Sequence, residues 1–558
     1  MNVLKVNIAA SAGIAMGRAG LYKPAVRKIA ENTVGTNEIP QEIEYFKASV
    51  SAAEHQLQEL SEANPIFGAH LEMVKDITLH EAVIFKISKS GMNAQKAVYE
   101  ACEELITIFD SMDDEYMKER AADIKDIRER LLNNLGGEQY TAMEFVEDTI
   151  LIAGDLTPSD TAALDLNKIK GIITRDGGAT SHVVILAKSL SLPAMVGVKE
   201  IMEEVQEEDY LILDGYNGEI LINPDDETLE KYRQLLKEHL EEDTIRRQEE
   251  GLPSITVDGK EIHLFANVGS TEDVKKAMSF QIDGIGLYRS EFLYLSSTHL
   301  PTEEEQFMAY KEAAVLCGKE ITIRTLDIGG DKTLPYLPME KEENPFLGWR
   351  AIRISLEEKD LFKTQLRAIL RASAYGKIRI MLPMIISLEE LLKAKEILRE
   401  CMGELTEEGI AYDTAIRTGV MIETPASVLC AEELAAEADF FSIGTNDLTQ
   451  YLLAVDRGNA KIAKLYNSFH PAVLRSIRMV AQAAHRHGIE AGMCGEFAGN
   501  EKATKLLIGL GLDELSMTPA KLAEIKYNLR RISYKEAIGL ADEVCKLGTI
   551  EEVMNILI

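Results

Sequence analysis

In the stretch Phe441-Ser-Ile-Gly-Thr-Asn-Asp-Leu-Thr-Gln450, a short apolar run ends in an amide and a carboxylate. It belongs to a set of eight short apolar runs that alternate with amphipathic helix patterns, at 262–266, 284–288, 321–324, 378–382, 419–422, 439–443, 490–493 and 513–517. Such runs are typical of strands buried on both faces of a parallel sheet. Eight β/α units in about 300 residues predict a closed (β/α)8 barrel, and a doubly wound open sheet is the alternative.

The first part of the chain combines strand patterns with a long helical segment. Short apolar runs at 150–153, 171–174, 192–198, 210–214 and 219–222 predict a compact α/β unit that also takes in the first 20 residues. Residues 38–135 repeat apolar side chains at spacings of three and four, which predicts a helical bundle or a pair of hairpins. A polar helix over 226–248, with Leu229, Tyr232, Leu236 and Leu240 on one side, is predicted to link this part to the barrel.

Composition limits the classes of partner. The 558 residues include 60 Lys and Arg against 92 Asp and Glu, for a formal charge of −32. An acidic surface repels a phosphate backbone and an anionic membrane face, so we expect no nucleic-acid and no membrane partner. The 6 cysteines are scattered without CxxC spacing, which favours free thiols in a reducing cytoplasm.

Polar side chains follow the predicted barrel strands where each strand ends, which is where barrel enzymes place their chemistry. Six polar residues follow apolar runs: Arg289, Arg324, Glu423, Asn446, Asp447 and Cys494. We place a seventh, Arg457, just beyond the seventh strand. Any one of them alone is explained by a solvated loop charge or a structural ion pair. Their recurrence predicts one site.

The residue types indicate the chemistry of that site. Converging guanidinium groups bind an anion, because each offers parallel donors to a carboxylate or a phosphate. Glu423 and Asp447 supply two hard oxygen ligands suited to Mg²⁺, which takes its remaining ligands from water and substrate. Cys494 alone would be a small packing residue, but its place beside Gly495 at the barrel mouth favours an acid or a nucleophile.

The smaller unit carries a different signal, Thr174-Arg-Asp-Gly-Gly-Ala-Thr-Ser-His182, a glycine turn between a strand and a helix. His182 is predicted at the helix N-terminus, where free N–H groups and the helix dipole stabilise an added phosphate. A lone histidine is usually structural, and both readings stand on this segment alone. His485 and His487 are interpreted as surface residues of a polar helix.

These segments resemble enzyme I of the phosphoenolpyruvate:sugar phosphotransferase system over nearly the whole chain. The motifs that carry the resemblance are Asp155-Leu-Thr-Pro-Ser-Asp-Thr-Ala162, Gly177-Gly-Ala-Thr-Ser-His182, Gly286-Leu-Tyr-Arg-Ser-Glu-Phe292, Arg324-Thr-Leu-Asp-Ile-Gly-Gly-Asp331, Asn344-Pro-Phe-Leu-Gly-Trp-Arg350, Glu423-Thr-Pro425, the stretch 441–450 and Gly492-Met-Cys-Gly-Glu496. Pyruvate phosphate dikinase and phosphoenolpyruvate synthase share several motifs, but they carry a further ATP-binding domain for which this chain has no length.

The resemblance implies an architecture and a partner. It implies a swivelling phosphohistidine α/β domain at 1–21 plus 144–222, an inserted helical subdomain at 22–143 that docks the phosphocarrier protein HPr, a linker helix at 223–253 and a phosphoenolpyruvate-binding barrel at 254–558. It also implies a cytoplasmic homodimer formed through the barrel.

The resemblance likewise implies site roles. His182 is the phosphorylated residue, Thr161 supports it, and Arg120 lies near the carrier interface. In the barrel, the resemblance assigns the phosphoenolpyruvate clamp to Arg289, Arg324 and Arg457, and a phosphate contact to Asn446. It assigns the Mg²⁺ ligands to Glu423 and Asp447. Cys494 matches the acid that protonates the enolate.

The implied reaction transfers the phosphoryl group of phosphoenolpyruvate to His182 and then to a histidine of HPr, releasing pyruvate, as the first step of sugar uptake. The chain departs from the family pattern at Ala179, Val183 and Lys188, and the loss of a guanidinium at Ala179 removes one charge partner from phosphorylated His182. Two alternatives stay open: a dikinase-like enzyme, and an inactive regulator that binds phosphoenolpyruvate and a partner.

Overall fold

The computed structural model describes residues 2–6, 9–11, 13–22, 33–61, 66–110, 115–136, 145–157, 160–161, 164–177, 182–189, 192–249, 251–329, 332, 334, 336–337, 340, 342–459 and 461–557. The chain divides into two compact units, Met1–Leu240 and Glu241–Ile558. In the described part, no helix is long and apolar enough to cross a membrane. All six cysteines are free.

An eight-stranded sheet organises the first unit, in the order β1-β8-β7-β3-β4-β5-β6-β2. The pairs β3/β4, β4/β5 and β5/β6 are parallel and the other pairs are antiparallel. The strands are β1 Asn2–Lys5, β2 Ala9–Ser11, β3 Ile14–Tyr22, β4 Thr149–Ala153, β5 Ile169–Thr174, β6 Ala194–Met195, β7 Tyr210–Asp214 and β8 Glu219–Ile222. The strands β1, β2 and β3 near the start of the chain therefore join the α/β unit, as predicted.

The run at 192–198 was predicted as a full strand, and this is wrong: only Ala194–Met195 pairs. Pro193 has no N–H to donate to a ladder. Gly197, with φ +75°, interrupts the extended conformation, although the N–H of Val198 still donates to the carbonyl of Thr174 at 3.0 Å.

Both faces of this sheet are covered. Successive side chains of a strand point to opposite faces. In β4, Ile150 and Ile152 pack in one apolar cluster while Leu151 and Ala153 pack in another, and all four are buried. The short helix Ile201–Glu204 contributes Ile201 to the first cluster, and the helix His182–Ser189 contributes Val183 and other side chains to the second.

The predicted helical segment lies between β3 and β4. Its described residues form the helices Ile39–Ser61, Ile66–Val74, Ile77–Ser90, Ala94–Asp110 and Glu115–Gly136. The apolar positions that recur at helical spacing, Phe46, Val50, Ala53 and Leu57, are buried in one shared cluster with side chains of the other helices. The periodicity therefore identified the packed face of the first helix.

The predicted linker helix runs over Asp226–Glu249. Tyr232 is buried in its first half and donates a hydrogen bond to Asp214 Oδ2 at 2.9 Å. Leu229 and Leu235 pack beside it, but Leu240 is 59% exposed, so the predicted continuous apolar side is wrong at that position. The apolar cluster on the sheet contacts only the first half of this helix.

The second unit is a closed barrel in which all eight strands are parallel, as predicted. The strands are β9 His263–Val268, β10 Gly284–Arg289, β11 Glu320–Arg324, β12 Ile378–Leu382, β13 Arg417–Ile422, β14 Phe440–Ile443, β15 Glu490–Met493 and β16 Glu514–Met517. The α-helices are Thr271–Met278, Glu291–Leu295, Glu303–Cys317, Ile352–Glu357, Lys359–Ser373, Leu388–Glu407, Pro425–Leu429, Ala431–Ala435, Thr445–Leu453, Pro471–Arg486, Thr504–Leu510, Leu522–Leu529, Tyr534–Val544 and Ile550–Leu557. Short 3₁₀ turns lie at 166–168, 345–347, 463–465, 496–499, 501–503 and 519–521.

A buried ionic cluster fills the amino-terminal end of the barrel. The guanidinium of Arg379 donates to Glu514 Oε2 at 2.8 Å and to Thr322 Oγ1 at 2.9 Å, and it lies 4.5 Å from the ring centre of Phe440. Each charge has a partner, which is the condition for burying it. The cluster lies at the amino-terminal end because Arg379 is the second residue of β12 and Glu514 is the first residue of β16.

His70 gives the helical segment a pH-dependent stability. Its buried ring lies 3.1 Å from Asp123 Oδ1 and 3.2 Å from Asp126 Oδ2. Burial alone would lower the pKa of His70, but the two carboxylates outweigh it and raise the pKa from 6.5 to about 9. Stabilisation by this cation is full below pH 6.5 and is lost as the pH rises through 9.

We therefore predict that His70→Gln increases hydrogen exchange in the helices Ile66–Val74 and Glu115–Gly136 strongly at pH 6 and little near pH 10. Pulse-labelling mass spectrometry measures this, and comparison at equal pH cancels the chemical exchange rate. His80→Gln is the matched control, since its ring bonds the carbonyl of Val74. An equal effect of His70→Gln at both pH values would contradict the charged pair.

Candidate active site

A cavity of about 320 Å³ opens at the carboxyl ends of the barrel strands. The structure places seven predicted residues in its lining: Arg289, Arg324, Glu423, Asn446, Asp447, Arg457 and Cys494. In its described lining, five basic side chains face five acidic ones, and those that were not predicted are Glu291, Asp327, Lys332, Arg350 and Glu496. The pocket is thus strongly polar and close to neutral overall.

Arg457 was assigned to the wrong strand. It follows β14, the sixth barrel strand, because the segment after β14 forms the helix Thr445–Leu453 and no further strand precedes it. Its backbone N–H donates to Gln450 Oε1 at 3.3 Å, which ties the loop back to that helix.

Arg324 ends β11 as a buried cation between two carboxylates. Its Nη2 lies 2.5 Å from Glu291 Oε1 and 3.0 Å from Asp327 Oδ2. Burial disfavours its charge, but Asp327 and Glu291 outweigh that and hold the pKa of Arg324 above its usual value. Arg324 is therefore permanently charged and already oriented before any ligand binds.

Arg350 is a second buried guanidinium that the strand-end rule missed. Its Nη2 lies 2.9 Å from Asp327 Oδ1 and 3.3 Å from Asp447 Oδ2, and its Nη1 donates to Tyr451 Oη at 3.1 Å. It comes from the long loop after β11, so no strand pattern leads to it. Its place at the end of the motif 344–350 was the available signal. Asp327 lies in the motif 324–331, and its place in that motif was likewise the available signal.

The loop that carries Arg350 is tied down on its other side. The backbone N–H of Trp349, the only tryptophan of the chain, donates to Glu342 Oε1 at 2.8 Å, and its indole donates to Glu357 Oε2 at 2.7 Å. The guanidinium of Arg353 donates to the carbonyls of Leu347 and Gly348. These bonds hold the backbone from which Arg350 extends.

Glu423 and Asp447 form the acidic pair predicted to hold a cation. Glu423 Oε1 accepts the N–H of Met384 at 2.7 Å, and burial together with Asp447 and Asp327 raises the pKa of Glu423 to about 8. Asp447 Oδ1 is buried and has no hydrogen-bond partner among the described residues.

An unpaired carboxylate oxygen beside a second buried carboxyl group suits a hard divalent cation. The described residues contain no group of three or more His, Cys, Asp or Glu side chains arranged as ligands. Glu423 and Asp447 would supply two ligands, and the others would be water and substrate oxygens, as Mg²⁺ tolerates.

The side-chain amide of Asn446 is oriented so that its NH₂ group can donate a hydrogen bond to a ligand. Its Oδ1 accepts the backbone N–H of Glu496 at 3.1 Å, and its own carbonyl accepts the hydroxyl of Tyr466 at 3.0 Å. Since the amide oxygen is occupied, the NH₂ group is left to donate to a ligand.

Cys494 is almost fully buried at 2% exposure, after β15. Burial raises the pKa of its thiol to about 11, even though the hydroxyl of Ser442 and the charge of Arg324 act in the opposite direction. The thiol is therefore protonated at neutral pH. A proton donor fits this state and a thiolate nucleophile does not.

The phosphohistidine candidate lies in the first unit. The helix His182–Ser189 begins at His182, as predicted, and the side chain of Val183, the second residue of this helix, is buried. Ala179 and the side chains of His182 and Lys188 lie outside the described residues. Val183 thus contributes packing to the sheet.

Thr161, expected to support His182, and Arg120, expected near the carrier interface, lie in different parts of this unit. Thr161 is buried next to Asp160, which accepts hydrogen bonds from Thr157 and from the hydroxyl of Tyr22. Arg120 lies in the helix Glu115–Gly136, where its Nη1 is 3.9 Å from Met73 Sδ.

Family models identify this chain, with its parallel barrel and its mouth lined by guanidinium and carboxylate groups, as a PEP-utilising enzyme. The PEP-binding domain matches residues 244–534, the N-terminal domain 7–120 and the mobile domain 145–218. Phosphoenolpyruvate-protein phosphotransferase of Haemophilus influenzae is 44% identical over 561 residues, covering 99% of this chain and 98% of its own. That of Bacillus subtilis is 42% identical over 558 residues, covering 98% of each chain. The chain belongs to the phosphoenolpyruvate-protein phosphotransferase family, and it is a transferase.

We predict that Asp447→Asn weakens Mn²⁺ or Mg²⁺ binding at least about tenfold, because it removes half of the acidic pair. Isothermal titration of the full chain with the metal alone measures this. Glu496→Gln is the matched control, since Glu496 is an exposed acidic residue of the same lining. Equal affinities of the two variants would show that these carboxylates do not hold the cation.

Proposed function

We propose that this enzyme transfers the phosphoryl group of phosphoenolpyruvate to His182 and from there to a histidine of HPr, releasing pyruvate. The observation that carries the proposal is the single pocket that gathers Arg289, Arg324, Arg457 and Asn446 beside an acidic pair. Phosphoenolpyruvate carries a phosphate and a carboxylate on one small carbon frame. Several guanidinium groups around one small cavity match that distribution of charge.

In the proposed complex, Arg289, Arg324 and Arg457 bind the two acidic groups of the substrate and Asn446 donates to the phosphate. Glu423 and Asp447 would hold Mg²⁺, which supplies positive charge beside the transferring phosphoryl group. The PEP-utilising enzymes are metal-dependent. Buried, preoriented donors stabilise the charge that develops during phosphoryl transfer without having to reorganise.

Cys494 is proposed to donate a proton to the enolate carbon. When the phosphorus–oxygen bond breaks, the electron pair stays on enolpyruvate, and protonation at carbon yields pyruvate. The buried thiol is protonated at neutral pH, as this step requires. Conversion of the enolate to the ketone makes the transfer favourable.

His182 is proposed to attack phosphorus as a neutral imidazole, forming a nitrogen–phosphorus bond. Its position at the start of a helix supports the proposal, because free N–H groups and the helix dipole stabilise the added phosphate. We propose that Thr161 supports the phosphohistidine and that Arg120 lies near the carrier interface. The kinetics are then ping-pong, with a phosphoenzyme intermediate.

The proposal includes the domain organisation given by the resemblance: phosphohistidine domain 1–21 plus 144–222, carrier-binding subdomain 22–143, linker 223–253 and barrel 254–558. His182 must reach the barrel pocket and then leave it for HPr, so a swivel about the linker is part of the cycle. We further propose a homodimer formed through the barrel that works in the cytoplasm. The free state of all six cysteines supports a reducing compartment.

We predict that ³²P-labelled phosphoenolpyruvate with Mg²⁺ and without ATP leaves an acid-labile, base-stable label on the protein, and that added HPr removes it. His182→Ala abolishes this label. His485→Ala is the matched control and keeps it, because His485 is paired with Asp513 in the barrel unit. Label that stays on the protein indicates another carrier, absence of label favours the regulator, and a requirement for ATP or phosphate favours a dikinase.

We predict that Cys494→Ala lowers the rate of pyruvate formation by about 10²- to 10⁴-fold, the usual contribution of a positioned proton donor. A coupled assay for pyruvate measures it in single turnovers. Cys401→Ala is the control, since Cys401 is also fully buried in the barrel unit but lies in the helix Leu388–Glu407, outside the pocket lining. Turnover of Cys494→Ala equal to that of the control would return Cys494 to a packing role.

A further inference from the structure

Gln365 forms hydrogen bonds with two loops at the mouth of the barrel, the one after β10 and the one after β11. It lies in the helix Lys359–Ser373 and is 1% exposed. Its Nε2 donates to Ser290 Oγ and to Tyr310 Oη, both at 3.1 Å, and its Oε1 accepts the backbone N–H of Leu326 at 2.8 Å. One side chain therefore uses both donors and its carbonyl in a fully buried place.

The direction of these hydrogen bonds is fixed. The N–H of Leu326 can only donate, so it sets Gln365 Oε1 toward that loop and the NH₂ group toward the other. Tyr310, which accepts from Gln365, donates its own proton to Gln306 Oε1 at 3.2 Å. Tyr294 donates to the same oxygen at 3.1 Å. No member can reverse its role without leaving a buried polar group unpaired, which is costly.

The two loops carry two of the predicted pocket arginines and two of the pocket carboxylates. Ser290 stands between Arg289 and Glu291 after β10. Leu326 stands between Arg324 and Asp327 after β11. Gln365 thus links the side chain of Ser290, next to Arg289, to the backbone of Leu326, two residues after Arg324. Gln365 itself is absent from the pocket lining.

We propose that Gln365 is a positioning residue for substrate binding: its amide fixes the separation of Arg289 and Arg324, and with it the fit of the substrate's acidic groups. The inference rests on the proposed roles of these two arginines. The ion pair between Glu291 and Arg324 also links the loops, but it lies inside the pocket, where an anionic ligand competes for the same guanidinium. The neutral amide of Gln365 keeps the loops in register when that competition occurs.

The test compares three variants of the full chain. Gln365→Met keeps the volume and removes all three hydrogen bonds, and Gln365→Glu keeps the acceptor for Leu326. Ser373→Ala is the control: Ser373 lies in the same helix and accepts the N–H of Asp413 at 2.8 Å, away from the pocket. KM and kcat for phosphoenolpyruvate, the affinity for phosphoenolpyruvate by titration, and the melting temperature are measured for each.

We expect Gln365→Met to raise KM and the dissociation constant for phosphoenolpyruvate about tenfold or more, with kcat changed much less, since a small displacement of binding groups has large effects. The KM and the dissociation constant of Gln365→Glu lie between those of Gln365→Met and those of the wild type. Ser373→Ala lowers the melting temperature without changing KM. In a double-mutant cycle, Ser290→Ala adds less to Gln365→Met than it costs in the wild type, because both act through one bridge.

Unchanged KM and substrate affinity in Gln365→Met would overturn the inference. A KM increase of the same size in Ser373→Ala would overturn it too, since the effect would then be general loosening. If the wild type itself does not bind phosphoenolpyruvate, the proposed function is wrong. If the wild type binds it and Gln365→Met binds it equally well, only the positioning role of Gln365 is wrong.

Discussion

Two buried guanidinium groups can stay charged only because carboxylates surround them, and the mouth of the barrel is built on that constraint. Arg324 is held by Glu291 and Asp327, and Arg350 by Asp327 and Asp447. Removing any one partner leaves an uncompensated charge on a buried side chain, which is strongly unfavourable. The same pairing keeps the arginines in defined positions before a ligand arrives, so the ligand does not have to order them.

The closed parallel barrel makes this arrangement possible. Its strands bring the loops after β10, β11, β13, β14 and β15 to one rim, so charges far apart in the chain meet in one cavity. The opposite end is occupied by Arg379 and its carboxylate partner Glu514. The barrel therefore has a cluster of charged side chains at each end.

The sequence was informative wherever a functional residue directly follows a strand. Arg289, Arg324, Glu423 and Cys494 could be found because a buried apolar run ends immediately before each of them, and the pattern of eight runs predicted the barrel itself. Arg350 and Gln365 could not be found in this way. Arg350 reaches the pocket from a long loop, and Gln365 acts through contacts with residues 75 and 39 positions away, to which no local pattern points.

Other differences have equally local causes. The run at 192–198 is apolar enough for a strand, but proline and glycine at 193 and 197 restrict pairing to two residues. Leu240 follows the helical period of its helix, but it is exposed and lies outside the apolar cluster that contains Tyr232. Periodicity states which side chains would share a face, and tertiary packing decides how far that face is covered.

The loop around Trp349 has a spectroscopic consequence. Because the chain contains one tryptophan, its indole fluorescence comes from a single place, next in sequence to the arginine that joins Asp327 to Asp447. The indole is held by Glu357, whose carboxylate is a nearby charge to which emission energy responds. The protein thus carries its own optical probe of the catalytic rim, without a label and without a background from any second indole.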